Sequence, residues 1–190
     1  METEAGHMEK TETGTMKLTA KDMALTGMMT ALLAVCAWVT IPFTIPFTLQ
    51  TFGVFMALRL LGGRRGTAAI GLYILLGIGG VPVFSGFSAG IGVIAGPTGG
   101  YIAGFLLTGL LYCAAKPLRT NRLRENLILA AGLLVCYAFG TVWFCIVKGN
   151  AGSPMDFLRA VSICVLPYLI PDAVKLMMAD QIATRVRKAL

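Results

Sequence analysis

The chain has 190 residues, 56% of them hydrophobic and only 13% charged, with a mean hydropathy of +0.78 and a net charge of +7. A soluble domain carries about a quarter charged residues, so this composition cannot cover a globule with polar surface. It excludes an ordinary soluble protein and leaves one polytopic membrane bundle.

Residues 1–20, METEAGHMEKTETGTMKLTA, are too polar for the apolar core of a signal peptide. They read as a mobile cytoplasmic tail containing a solvated His7, with a short interfacial turn before Lys21 and a single transmembrane domain over 21–190. A bilayer-crossing helix needs about 20 mostly apolar residues. Six segments are candidates, the second of them shorter: 23–42, 47–61, 66–81, 97–115, 127–147 and 157–179. The expected fold is therefore all-α, a bundle of six transmembrane helices. Arg59 falls near the end of the second span, from where it can snorkel to the interface.

The basic residues alternate from loop to loop. Lys10, Lys17 and Lys21 precede the first span, Arg64 and Arg65 follow the second, and Lys116, Arg119, Arg122 and Arg124 follow the fourth. Arg185, Arg187 and Lys188 follow the sixth, whereas the intervening loops carry only Lys148 and Arg159. The positive-inside rule then places both termini in the cytoplasm of a multi-pass plasma-membrane protein. The positive charge is accounted for by topology and calls for no nucleic acid. Of sixteen Lys and Arg residues, fifteen lie in loops, tails or span ends, and Lys175 does not. Asp172 is the acidic counterpart deep in a span.

An ionisable residue inside a span costs roughly 2.5–3.5 kcal/mol on insertion scales. Asp172 and Lys175 are three residues apart and share a helix face. Pro167 and Pro171 predict a kinked or broken helix there, with Pro171 in the first turn of the restarted segment. Two readings of the pair stand: a polar substrate site, or a mutually neutralised pair that locks the sixth helix to its neighbours.

The stretch from Gly77 to Phe105, GIGGVPVFSGFSAGIGVIAGPTGGYIAGF, is dense in glycine. GIGVIA fits a G-x-G-x-x-A dinucleotide fingerprint, but no strand–helix unit surrounds it, so the match is chance. Residues 82–96 read as an outer loop whose Phe84 and Phe87 could cover an apolar ligand. Pro97 suits the first position of the fourth helix. Gly100 and Gly104 make a small-xxx-small face for close helix packing. Tyr101 offers a ring and a hydroxyl near the outer interface, either to a ligand or as an interfacial belt residue. Gly27 and Ala31 make a second smooth face on helix one, for packing within the bundle or for docking another membrane subunit.

The five cysteines, Cys36, Cys113, Cys136, Cys145 and Cys164, sit in apolar runs without a C-x-x-C. Zinc and thiol–disulfide sites lack their spacing, and neither a metal nor a cofactor is expected. Gly-Lys never occurs, which removes a Walker A loop. Neither H-E-x-x-H nor a serine triad is available, so a binder or transporter subunit is favoured over an enzyme.

The segments GVPVFSGFSAGIGVIAGPTGGYIAGF, PYLIPDAVK and IPFTIPFTLQTF resemble BioY, the biotin-binding S component of energy-coupling factor (ECF) transporters. The resemblance spans about residues 20–185. It implies a helical bundle in a prokaryotic cell membrane that takes biotin from outside. It also implies a transmembrane coupling (T) subunit and two cytoplasmic ATP-binding cassette ATPases, with the S component toppling to release its cargo. In such proteins small residues of helix one meet the T subunit, which falls on Gly27 and Ala31. Biotin presents an apolar bicycle, a ureido group and a carboxylate. Asp172 can accept from ureido N–H groups and Lys175 can pair with a carboxylate. Tyr101, Phe84, Phe87 and Ser88 are the outer-side candidates, with Gln50 and Thr48 as weaker polar ones. The alternatives are an S component for another small vitamin or precursor, or an autonomous proton-coupled carrier using Asp172.

Overall fold

The structure, a computed structural model, describes residues 19–189. The polar stretch 1–18, with His7, lies outside the described residues, and Thr19 and Ala20 belong to the first helix and its cap. Helix α1 (Ala20–Trp38) begins with a capping box: the Thr19 hydroxyl accepts from the Asp22 N–H, and the Asp22 carboxylate accepts from the Thr19 N–H. The loop after α1 folds on itself through two short antiparallel strands, β1 (Thr40–Ile41) and β2 (Phe47–Thr48).

Helix α2 (Gln50–Ile78) is broken at Gly62, whose φ of 79° and ψ of 176° suit a residue without a side chain. An unbroken helix would hold Gln50 and Tyr73 about 34 Å apart. Instead the Gln50 amide donates to the Tyr73 hydroxyl at 2.6 Å. The arms 50–61 and 63–78 therefore form a helical hairpin, and they match the second and third expected spans. At its base Gly66 abuts the other arm, where an added Cβ would lie 2.8 Å from the Leu58 Cα.

A loop with a 3-10 turn at Ser85–Phe87 and the short helix α3 (Ile91–Ala95) leads to α4 (Gly99–Ala114). Pro97 sits in the preceding turn, two residues before the helix, rather than at its first position. Helix α5 (Arg122–Asn150) is capped by Asn121, which accepts from the Arg124 N–H at 2.9 Å. Helices α6 (Phe157–Cys164) and α7 (Leu166–Ala189) are bent by 40° at Val165. The break thus precedes Pro167, and Pro171 lies inside α7 rather than starting it. Pro167 is the second residue of α7, where its missing N–H has no helical partner to lose. Pro171 costs the helix one donor, the one that would have served the Pro167 carbonyl.

Helices α1 and α5 are each long and apolar enough to cross a membrane, as is the bent α6–α7 pair taken together, while α4 is a shorter apolar helix. Helices α4 and α5 pack through reciprocal glycine notches. Gly100 and Gly104 face Trp143 and Cys136 of α5, and Gly132 and Gly140 face Thr108 and Tyr101 of α4. A Cβ on Gly104 would stand 3.0 Å from the Cys136 Cα, so the helices would have to separate. Gly104→Val is therefore expected to destabilise the bundle by about 1–3 kcal/mol through overpacking, read as a lowered thermal midpoint in detergent. Gly27 and Ala31 lie on an exposed face of α1, and a Cβ on Gly27 would meet nothing within 4 Å.

Candidate functional site

A cavity opens at the end of the bundle where α1 ends and α2 and α4 begin. Its walls come from the β1–β2 loop (Ile45, Thr48), the start of α2 (Gln50, Thr51), α4 (Tyr101, Phe105), α5 (Cys136, Tyr137) and α6–α7 (Tyr168, Asp172, Lys175). Two further α4-side residues, Thr98 and Ile102, and Ser85 of the outer loop complete that side.

The polar floor centres on Asp172, 2% exposed, and Lys175, 6% exposed. The Lys175 ammonium donates to Asp172 Oδ1 at 2.7 Å and to the Thr48 carbonyl at 2.6 Å, and lies 4.2 Å from the centre of the Phe47 ring. The Thr51 hydroxyl donates to Asp172 Oδ1 at 2.9 Å, and the Tyr137 hydroxyl to Asp172 Oδ2 at 2.5 Å. A carboxylate holding three donors in a desolvated site is a strong, oriented acceptor. The remaining polar groups are also tethered. Gln50 Oε1 accepts from the Thr48 hydroxyl at 3.0 Å, the Tyr101 and Thr141 hydroxyls are 3.1 Å apart, and the Tyr168 hydroxyl donates to the Ile45 carbonyl. The tyrosine rings and Phe105 supply apolar wall, the mixture expected of a small-molecule site.

Of the residues expected from sequence, the structure brings Asp172, Lys175, Tyr101, Gln50 and Thr48 together in this lining. Three others lie elsewhere. Phe84 is fully buried against Gly77 and meets Tyr73 edge-on, with ring centres 5.5 Å apart. Phe87, 63% exposed, stacks on Trp38 at 5.0 Å. The Ser88 hydroxyl closes the loop onto the Ser85 carbonyl at 2.8 Å. Thr51, Tyr137 and Tyr168 were not anticipated; a hydroxyl-bearing residue within an apolar span, as at Tyr137, was the available signal.

Arg59 departs furthest from expectation. It does not snorkel but is 2% exposed, at the opposite end of the bundle from the cavity. Its guanidinium lies 2.7 Å from Asp180 Oδ1 and 3.3 Å from Glu125 Oε2, and also donates to Asn126. Arg122 joins Asp180 Oδ2 at 2.6 Å, and Arg187 donates to the Arg59 carbonyl. Asp172–Lys175 is therefore not the sole ionic group buried among the described residues. The driving force is desolvation: an arginine at a helix crossing, cut off from water, needs carboxylates within reach. Thr51 meets Asp172 and Arg59 meets Asp180, eight residues on along both helices, so arm 50–61 runs parallel to α7.

Comparison with known proteins agrees with this architecture. The BioY family profile matches residues 8–190. A biotin transporter BioY of Thermotoga maritima is 37% identical over 163 residues, covering 85% of this chain and 93% of that protein. A probable biotin transporter BioY of Pyrococcus horikoshii is 37% identical over 169 residues, covering 88% and 97%. The crystal structure of the S component for biotin from an ECF-type ABC transporter superposes with a TM-score of 0.77 at 28% identity, covering 88% of this chain and 91% of that one. With the family profile matched over nearly its whole length, the chain belongs to the BioY family.

Proposed function

We propose that this chain is the biotin-capturing S component of an ECF transporter. The observation that carries the reading is the buried Asp172–Lys175 pair, hydrogen-bonded to Thr51, Tyr137 and the Thr48 carbonyl, on the floor of a tyrosine-lined cavity. Biotin needs an acceptor for its ureido N–H groups, a cation or donor for its carboxylate, and apolar wall for its bicycle and chain. The relatives named above as biotin transporters support that choice of ligand.

The described ends of the chain meet the basic end of the bundle. Asp22 pairs with Arg65 at 3.0 Å, and Arg187 reaches the Arg59 carbonyl. With that end in the cytoplasm, the cavity opens outward and both termini lie inside. Power for transport comes from a T subunit and two ATP-binding cassette ATPases, since this chain has no Gly-Lys of a Walker A loop. The exposed Gly27–Ala31 face of α1 is the docking surface for the T subunit.

Titration calorimetry of the purified chain tests the ligand: one equivalent of biotin binds tightly, and unrelated vitamins give no heat. An absence of biotin binding would remove the proposal. Tyr137→Phe, which deletes a hydrogen bond to a charged group, is expected to weaken biotin by about tenfold. Uptake that persists without the ATPases but collapses with an uncoupler would instead indicate a proton-coupled carrier.

A further inference from the structure

The bundle end opposite the biotin cavity holds a second cavity, lined by Arg59, Arg119, Arg122, Arg187, Lys188 and the single acid Glu125, with Thr120, Asn121 and Thr184. Glu125 and Asp180 are already shared among Arg59, Arg122 and Arg187. Arg119 and Lys188 have no acidic partner among the described residues. The Arg119 guanidinium lies 4.3 Å over the Tyr112 ring. Two N–H groups here are buried without an acceptor, Nε of Arg59 and Nε of Arg119. Arg59 itself is 2% exposed, so its Nε cannot turn to bulk water for a partner. Asn121 and Arg122, the cap and first residue of the 29-residue α5, bring the positive end of a long helix to the same cavity. The arrangement is built for an oxyanion with several acceptor oxygens, and phosphate fits the arginine forks.

The surroundings point to the source of that phosphate. Leu118, Leu123 and Leu127, at the rim and along the first turns of α5, are 60%, 67% and 60% exposed. Leu123 and Leu127 are four apart on one helical face, so they form an apolar strip leading away from the cations. A cationic cavity at the start of a helix that carries an exposed apolar strip matches an amphiphile with an anionic head and acyl chains.

We propose that this cavity binds the phosphate headgroup of an anionic membrane lipid, with the acyl chains along the Leu123–Leu127 strip of α5. In the orientation proposed above, the lipid belongs to the cytoplasmic leaflet. Its binding does not depend on the identity of the vitamin at the other end.

Native mass spectrometry of the full chain released from detergent tests this, after equilibration with dioleoylphosphatidylglycerol or dioleoylphosphatidylcholine at equal mole fraction. The expected result is preferential retention of the anionic lipid, falling by about fivefold for each cation removed in Arg119→Gln, Arg187→Gln and Lys188→Gln. These exchanges spare Arg59, and unchanged elution and helical circular dichroism confirm an intact fold. Equal retention of both lipids, or retention unaffected in the triple variant, overturns the proposal. Displacement of the anionic lipid by millimolar inorganic phosphate assigns the site to a soluble anion and overturns the lipid assignment.

Discussion

Asp172→Ala is expected to lower biotin affinity by about a hundredfold or more, the largest effect of any single exchange in the cavity. The carboxylate accepts from Thr51, Tyr137 and Lys175 together, so its loss removes the acceptor that orients three elements. It also strands the Lys175 ammonium, 6% exposed, with only the Thr48 carbonyl and the Phe47 ring as partners. Breaking such a pair costs roughly 3–5 kcal/mol, much of it the penalty of the uncompensated charge. Lys175→Ala should behave alike, and the two losses should be strongly non-additive because the residues touch. A double exchange to apolar residues of similar volume, Asp172→Leu with Lys175→Met, separates the roles. Thermal stability should largely return while biotin binding does not. Calorimetry beside a thermal melt reads both quantities, and wild-type affinity in Asp172→Ala would show that the pair serves packing alone.

Arg59→Met should cost stability on the same scale, roughly 3–5 kcal/mol, because it leaves Asp180 and Glu125 facing each other without their central cation. Arg59 lies outside the biotin cavity, so the effect is read as a fall in thermal midpoint rather than as a missing ligand contact. Arg59→Lys should recover little, since one ammonium cannot serve Asp180, Glu125 and Asn126 in the geometry of a guanidinium fork. Adding Asp180→Leu to Arg59→Met should restore little, because Asp180 still holds Arg122 at 2.6 Å and its removal leaves that guanidinium without its carboxylate. A midpoint unchanged in Arg59→Met would mean that the cluster is solvated in the membrane and contributes nothing.

The features legible in the sequence were those with a high intrinsic cost. A charged Asp172–Lys175 pair in an apolar span is expensive enough to require polar partners, and the structure supplies them together with a cavity beside the pair. Apolar runs marked the helical segments and the alternation of Lys and Arg oriented them, and Gly62 explains why the second and third are arms of one broken helix. Hydroxyls are cheaper. Tyr137 or Thr51 on an apolar helix is compatible with any face, and only the packing of α5 and α2 against α7 selects the one that meets Asp172. Arg59 was misread for a related reason. Its place near a span end is the same in sequence whether it reaches water or carboxylates, and its partners Glu125 and Asp180 lie far along the chain. The outer-loop phenylalanines failed differently, because a 3-10 turn decides which ring enters the bundle. Phe84 turns inward to Tyr73 and Phe87 outward to Trp38.

The two carboxylate contacts between arm 50–61 and α7, a hydrogen bond from Thr51 and an ion pair with Arg59, lie eight residues apart on both helices, about 12 Å along a common axis. Such spacing works as a vernier. Sliding α7 by one residue shifts every side chain by about 1.5 Å and turns it by about 100°, so both rungs are lost at once. Through any slip Asp172 keeps only Lys175, its partner on the same helix, while Asp180 loses Arg59. The register of α7 against arm 50–61 thus sets, at one stroke, both the floor of the cavity and the ionic cluster at the other end of the bundle.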